Sequence, residues 1–208
     1  MNALPVPWRT AMEEAWTAYL HDSYPIGACV TGADGLVLSY GRNRLGEERR
    51  VDSVVSGHWQ AHAELNALLA LPDLSADECR GLTLYTTTEP CPMCLGAMLM
   101  GRIGRLAYAA ADPWAGHTDA LTATFYPSQK TVQLSRAPVA VDQACTLLLL
   151  VSFLDGPMPR DHGFFAAHER QHPAFMEAAE RLSETGQLPA LRRRTACLDE
   201  ALSVLEAV

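Results

Sequence analysis

Two cysteines, Cys91 and Cys94, sit three positions apart in "TTTEPCPMCLGAMLMGRIG", residues 86–104, between prolines and an apolar run. Alone, such a pair serves as a dithiol redox centre or as half of a zinc site, since a helix N-terminus lowers thiol pKa in either case. The informative partner is "HAE", residues 62–64, with 25 residues between Glu64 and Pro90. Two cysteines three apart on a first helical turn can face one ion, and a histidine opening another helix can supply the third ligand. Three protein ligands leave the fourth position of a tetrahedral ion for water, which separates a catalytic zinc from a structural one. Glu64 is two residues from His62 and would point away from it along the side of a helix. At a helix mouth it can instead stand beside that water without ligating and carry its proton. The spacing therefore predicts one catalytic Zn2+ per chain on His62, Cys91 and Cys94, with Glu64 as catalytic acid/base. A redox pair and a closed structural site are the competing readings.

These residues need elements to carry them. The segment "WRTAMEEAWTAYL" places Met12, Ala15, Trp16 and Tyr19 at helical spacing, and "PIGACVTGADGLVLSYGRN" reads as a hairpin around Gly-Ala-Asp-Gly. Residues 44–59 are polar and irregular. A helix over 62–71, stopped by Pro72, has Leu65, Leu68, Leu69 and Leu71 as its expected buried stripe. The Thr-rich strand "GLTLYTTT" is followed by the Cys-bearing helix with proline in its first turn, then by "RLAYAAAD" and "TVQLS" as strands and a buried helix over 141–154. This alternation predicts an α/β fold, a central sheet covered by helices with some strands parallel. "DGPMPRD" marks a boundary between a domain over 1–155 and an extension over 156–208, read as two amphipathic helices separated by Gly186 and Pro189.

Composition narrows the partners. The chain has 208 residues, 49% of them hydrophobic, enough for one core with an appendage. Its net charge of −8 offers no overall attraction to nucleic acid. The one concentrated basic stretch, "LRRRT" over 191–195, reads as the solvated face of a terminal helix. The N-terminus lacks a basic-then-apolar leader, and "LLLLV" is far short of the roughly 20 residues that span a bilayer. No membrane partner is expected, and a cytoplasmic location would keep the six irregularly spaced cysteines reduced.

The segments "HAE" and "EPCPMCLGAM" resemble the cytidine deaminase-like superfamily, and "TEPCPMCLGAMLMGRIGRLAYAAADPWAG" is most similar to its tRNA adenosine deaminase and guanine deaminase branch. The resemblance runs over about residues 8–154. It implies a three-layer α/β/α fold with a five-stranded mixed sheet between helices, here followed by the C-terminal helical extension, and it implies a homodimer. It implies substrate contacts from Asn43, the backbone amide of Ala63 and Asp112. The Cys91 backbone amide would stabilise charge building on oxygen. Local alternatives stand beside these: Asn43 could satisfy a strand end, and Asp112 before Pro113 is ordinary turn chemistry. Trp59 or Trp114 could stack on a base or pack a loop, and Cys29, Cys79 and Cys145 read as core fillers. The acidic core and the divergent loop after "ADPWAG" favour a small nucleobase or nucleoside substrate, a purine such as guanine among them. Deamination of tRNA adenosine is the alternative, and an inactive zinc fold that binds partners is the non-enzymatic one.

Overall fold

The computed structural model describes residues 4–51 and 53–207. Positions 1–3 of the N-terminal segment, Asp52 in the irregular stretch and Val208 at the end of the extension lie outside the described residues.

Helix α1 (Val6–Leu20), with proline in its first turn, buries Trp8, Met12, Ala15, Trp16 and Tyr19. Strands β1 (Gly27–Thr31) and β2 (Val37–Arg42) pair as an antiparallel hairpin. The irregular stretch holds a miniature hairpin, β3 (Arg50–Val51) with β4 (Val55–Ser56), and is followed by α2 (Ala63–Leu69). Then come α3 (Ala76–Arg80), β5 (Thr83–Thr88), α4 (Pro92–Met100) and β6 (Arg105–Ala110). Two four-residue helices, α5 (Ala120–Ala123) and α6 (Phe125–Ser128), precede β7 (Gln133–Arg136) and the long α7 (Val139–Leu154).

Five strands form one mixed sheet in the order β2-β1-β5-β6-β7. β1 runs antiparallel to β2 and β5, whereas β5, β6 and β7 are parallel because crossovers join them. Alternate strand residues serve opposite layers: Ala107 and Ala109 face the cluster of α1 and α7, while Val30, Leu84 and Leu106 face α2 and α4. The architecture is the three-layer α/β/α sandwich. No helix among the described residues is long and apolar enough to cross a membrane.

The buried stripe of α2 differs from the expected one. Its inward face carries Ala63, Glu64, Asn66 and Ala67, while Leu65, Leu68 and Leu71 are only partly covered and Leu69 is 52% exposed. The reason is a close approach to the sheet. A Cβ on Gly41 of β2 would stand 2.4 Å from the Ala67 nitrogen and 2.7 Å from the Ala63 carbonyl oxygen. Where β2 crosses the helix at Ala63 and Ala67 there is no room for a leucine.

The extension also differs, having four helices where two were expected: α8 (Gly163–Gln171), α9 (Pro173–Thr185), α10 (Gln187–Arg193) and α11 (Leu198–Leu205). Pro173 ends α8 by its missing N–H and its restriction of His172. Gly186 and Thr195, at φ 64° and 53°, make the later breaks, and Pro189 sits in the first turn of α10 rather than between helices. Phe165, Leu188 and Ala201 share one core with α1 and α7. The buried Trp16 indole donates to the Ala196 carbonyl at 2.7 Å, and Arg9 forks onto both Asp199 oxygens at 2.7 and 3.1 Å. In the basic stretch, Arg192 pairs with Asp22 and Arg194 with Glu200, so two of its three charges are already engaged within the chain.

Candidate metal centre and active-site pocket

Two helix starts converge beside the C-terminal ends of the parallel strands β5 and β6, the usual place for a site in an α/β sheet. His62 is the N-cap of α2 and Cys91 the N-cap of α4; both have extended backbones, and neither side chain caps its helix. Their ring nitrogen and sulfur are therefore free to turn toward each other. Pro92 starts α4 at a position that needs no N–H, and Cys94 follows within that first turn. The His62 Nδ1 lies 3.6 Å from the Cys91 sulfur and 3.4 Å from the Cys94 sulfur. A tetrahedral zinc with Zn–S near 2.3 Å and Zn–N near 2.0 Å holds nitrogen and sulfur about 3.5 Å apart. The spacing fits, and the donor atoms of all three lie within 4.8 Å of one another. One imidazole and two thiolates make a mononuclear Zn2+ site with room for one further ligand.

The electrostatics point the same way. The Cys94 hydrogen bond, against the opposing effect of burial and with help from His62, lowers the Cys91 thiol to about 4. That bond, and then burial, push the Cys94 thiol up. Cys91 thus favours its thiolate, the form that ligates a metal ion, and a bound cation favours the thiolate at both sulfurs. By contrast, burial and then Glu14 push Cys29 up to about 12, leaving it an inert core thiol. Burial works to lower the His62 imidazole, but its hydrogen bond to Cys91 and the charges of Glu64 and Cys91 raise it overall.

Glu64 is the second residue of α2 and only 3% exposed. Because His62 precedes the helix in extended conformation, positions 62 and 64 open onto the same pocket, the helix-mouth arrangement that their spacing requires. Burial raises the Glu64 carboxyl above the usual carboxylate range, with the His62 charge opposing.

The pocket encloses about 210 Å³. Its polar lining includes Asn43, His62, Glu64, Thr88, Cys91 and Asp112. Asn43, 1% exposed, accepts the Leu45 N–H on Oδ1 at 3.0 Å. The Thr88 hydroxyl is buried and has no hydrogen-bond partner among the described residues. Asp112 lines the pocket but spends Oδ1 on the N–H groups of Trp114 and Ala115, at 2.9 and 3.0 Å, as a turn-forming aspartate does. Ala63, the first residue of α2, is fully buried and packs into the lower core rather than lining the pocket. Trp114 lines the pocket, whereas Trp59 is 76% exposed outside it.

Residues 7–110 match the family model of the cytidine and deoxycytidylate deaminase zinc-binding region. The chain belongs to this family. Within it, the chain is similar to tRNA(Ile)-lysidine synthase of Deinococcus radiodurans, 42% identical over 115 residues that are 53% of this chain and 18% of that one. It is also similar to the tRNA-specific adenosine deaminase of Agrobacterium fabrum, 38% identical over 107 residues, 51% of this chain and 64% of the relative. The matches thus span less than two thirds of either relative. A solved structure of a protein in complex with 2,6-diaminopurine superposes with a TM-score of 0.54 at 26% identity, covering 76% of this chain and 86% of that one.

Sequence reasoning missed three groups that shape this family's site here. Glu89 accepts the Asp112 N–H at 3.3 Å on one oxygen and, on the other, the Thr118 N–H at 3.1 Å together with the Thr118 hydroxyl. It ties the 112–118 loop to the start of α4, and its place just before Pro90-Cys91 was a usable signal. Asn66 donates to the carbonyls of Arg42 and Val55 and accepts the Val55 N–H, holding the 44–58 loop against α2. The third group is the apolar wall formed by Tyr24, Phe153, Met158 and Phe164, brought together only by tertiary folding.

Proposed function

We propose that the chain is a zinc-dependent hydrolytic deaminase of a small nucleobase or nucleoside, a purine such as guanine among its candidate substrates, releasing ammonia. The observation that carries this reading is the buried Glu64 carboxylate opening onto the same pocket as His62 and Cys91 while standing outside the ligand set. When bound, zinc supplies the Lewis acidity that makes water nucleophilic near neutral pH. Glu64 takes a proton from the attacking water and delivers it to the ring nitrogen beside the amine-bearing carbon. It then moves the second hydrogen of that water to the amine, so the carbon keeps the oxygen as a carbonyl, the C–N bond breaks and ammonia leaves. The Cys91 N–H, at the open start of α4, opposes charge on that oxygen. Asn43, with Oδ1 engaged by Leu45, offers its Nδ2 hydrogens to an acceptor on the base. The free N–H at the first position of α2, that of Ala63, and the second oxygen of Asp112 are the remaining proposed contacts.

A free base or nucleoside suits a cavity of about 210 Å³, below the 300 Å³ at which pockets for drug-sized ligands begin. The bound 2,6-diaminopurine of the superposed structure supports the same class. Deamination of a tRNA adenosine is the second reading, favoured by the Agrobacterium fabrum relative. A homodimer is proposed on the face of α2 and α4, where Leu69 and the 70% exposed Met100 lie open and Tyr126 donates to the Met100 sulfur. A cytoplasmic location fits six free cysteines.

The test is ammonia release from guanine, adenine, cytosine, their nucleosides and a tRNA anticodon stem, with Glu64→Gln as the blank. Glu64→Gln is expected to keep zinc and lose about 10²–10⁴-fold in kcat. Full activity in that variant removes Glu64 from the mechanism, and release from the anticodon stem alone replaces the small-substrate reading.

A further inference from the structure

The residues after 155 reach back into the pocket. Met158 and Phe164 line it, and the turn between them sets His162 edge-on to the Trp114 indole, ring centroids 5.2 Å apart. Gly163 lies so close to that indole that a Cβ would stand 2.4 Å from Cζ3. Phe164, 4% exposed, lies between Phe153 and His168, with centroids 4.4 and 4.2 Å away, so its edge rather than its face is turned to the pocket. Phe153 in turn stacks on Tyr24 at 4.8 Å and 29°. Phe164, Phe153 and Tyr24 thus make a continuous aromatic wall, and the extension both contributes to it and, through His162 and Gly163, touches Trp114 beside it.

Resting on the deaminase reading above, we propose that residues 158–164 are the specificity-determining segment of this enzyme. Met158 and the edge of Phe164 form the apolar surface against which a flat heterocycle lies, and Gly163 positions Trp114 at the mouth to admit a free base in preference to one carrying ribose. Three physical points support this. An aromatic edge meets the π-face of any base, at about 0.5–1.5 kcal/mol, while the polar set of Asn43 and Glu64 is left to read the ring edge. Rings already packed against one another cannot swing aside without disturbing the core that Phe164 and Phe165 share with α7. The missing side chain of Gly163 lets the Trp114 indole lie directly on the backbone of the extension, an approach that any Cβ there would block.

Met158→Ala shortens a partly buried side chain at the margin of the core. Phe164→Leu keeps the core volume but removes the ring, and Gly163→Ala displaces Trp114. The inference predicts zinc content equal to wild type in all three. It predicts Kd for 2,6-diaminopurine by calorimetry weakened about 2- to 13-fold in Phe164→Leu, the edge-to-face range expressed as an equilibrium ratio. KM for the free base should rise while kcat moves little, because none of these side chains touches the reacting atoms. In Met158→Ala and Gly163→Ala, the ratio of kcat/KM for nucleoside over free base should rise at least tenfold. Unchanged Kd and an unchanged ratio in folded, zinc-loaded variants of an active wild type overturn the inference alone. A zinc-loaded wild type that binds no purine and releases no ammonia overturns the deaminase reading, and the inference with it.

Discussion

Gly41→Ala tests how the metal centre is held. The added Cβ would stand 2.4 Å from the Ala67 nitrogen and 2.7 Å from the Ala63 oxygen, where ordinary contact begins near 3.4 Å. Those atoms are the donor and acceptor of a single α-helical turn, so no side-chain rotamer can relieve the overlap. Helix α2 must move off β2 by about 1 Å, or the strand must bow by as much. His62 begins that helix, and its nitrogen must keep ligand distances within about 0.2 Å for the metal to be held. Overpacking of this kind costs about 1–3 kcal/mol. At about 2–4 °C per kcal/mol for a chain of this size, the melting temperature should fall by about 2–12 °C. A displacement near 1 Å should also lower turnover about 10²-fold. Calorimetry, zinc stoichiometry after dialysis against a weak chelator, and ammonia release read the three consequences. If Gly41→Ala binds zinc as wild type does and melts at the same temperature, the close approach to β2 does not place His62.

Three further outcomes are expected. Gly96→Ala, where a Cβ meets nothing within 4 Å in helix α4, should stabilise by about 0.5–1 kcal/mol in urea unfolding, and a loss would show hidden crowding. Trp16→Phe strands the buried Ala196 carbonyl and should destabilise by about 1–3 kcal/mol; an unchanged midpoint would mean that water takes over the bond. The hydrogen bonds from Arg9 hold the Asp199 carboxyl below its ordinary value. Its contribution is therefore present above that ordinary value and lost as pH falls through the lowered one. Arg9→Ala should move the Asp199 midpoint upward in an NMR titration, and an unmoved midpoint would refute the pairing.

The metal ligands were legible because their chemistry is local: two cysteines on one helical turn and a histidine at the mouth of another, with a non-ligating glutamate two residues on. The sheet was legible from alternation and turn residues, as was the burial of α1. The α2 stripe misled because leucine normally marks the inner face, whereas here Gly41 brings the backbones together at Ala63 and Ala67 and the rest of that face carries Glu64 and Asn66. Helix α3 carried a readable signal in Ser75 and Glu78, which form a reciprocal capping box. The split of the extension was equally readable in Pro173. The wall of Tyr24, Phe153, Met158 and Phe164 was not readable, since Tyr24 meets the other three, 129 positions or more away, by packing alone.

The bond from Trp16 to the carbonyl of Ala196 spans 180 residues of chain. It gives this small α/β protein an unusually non-local closing contact, and such contacts form late in folding. During synthesis at about 5–20 residues per second, the outer faces of α1 and α7 wait several seconds, while residues 156–205 are added, for the helices that cover them. A nascent chain stalled in that interval would present a sticky, half-covered layer beside an almost complete sheet. Slow codons or a premature stop between 156 and 196 should therefore send this protein to chaperones or aggregates, not to a smaller working form.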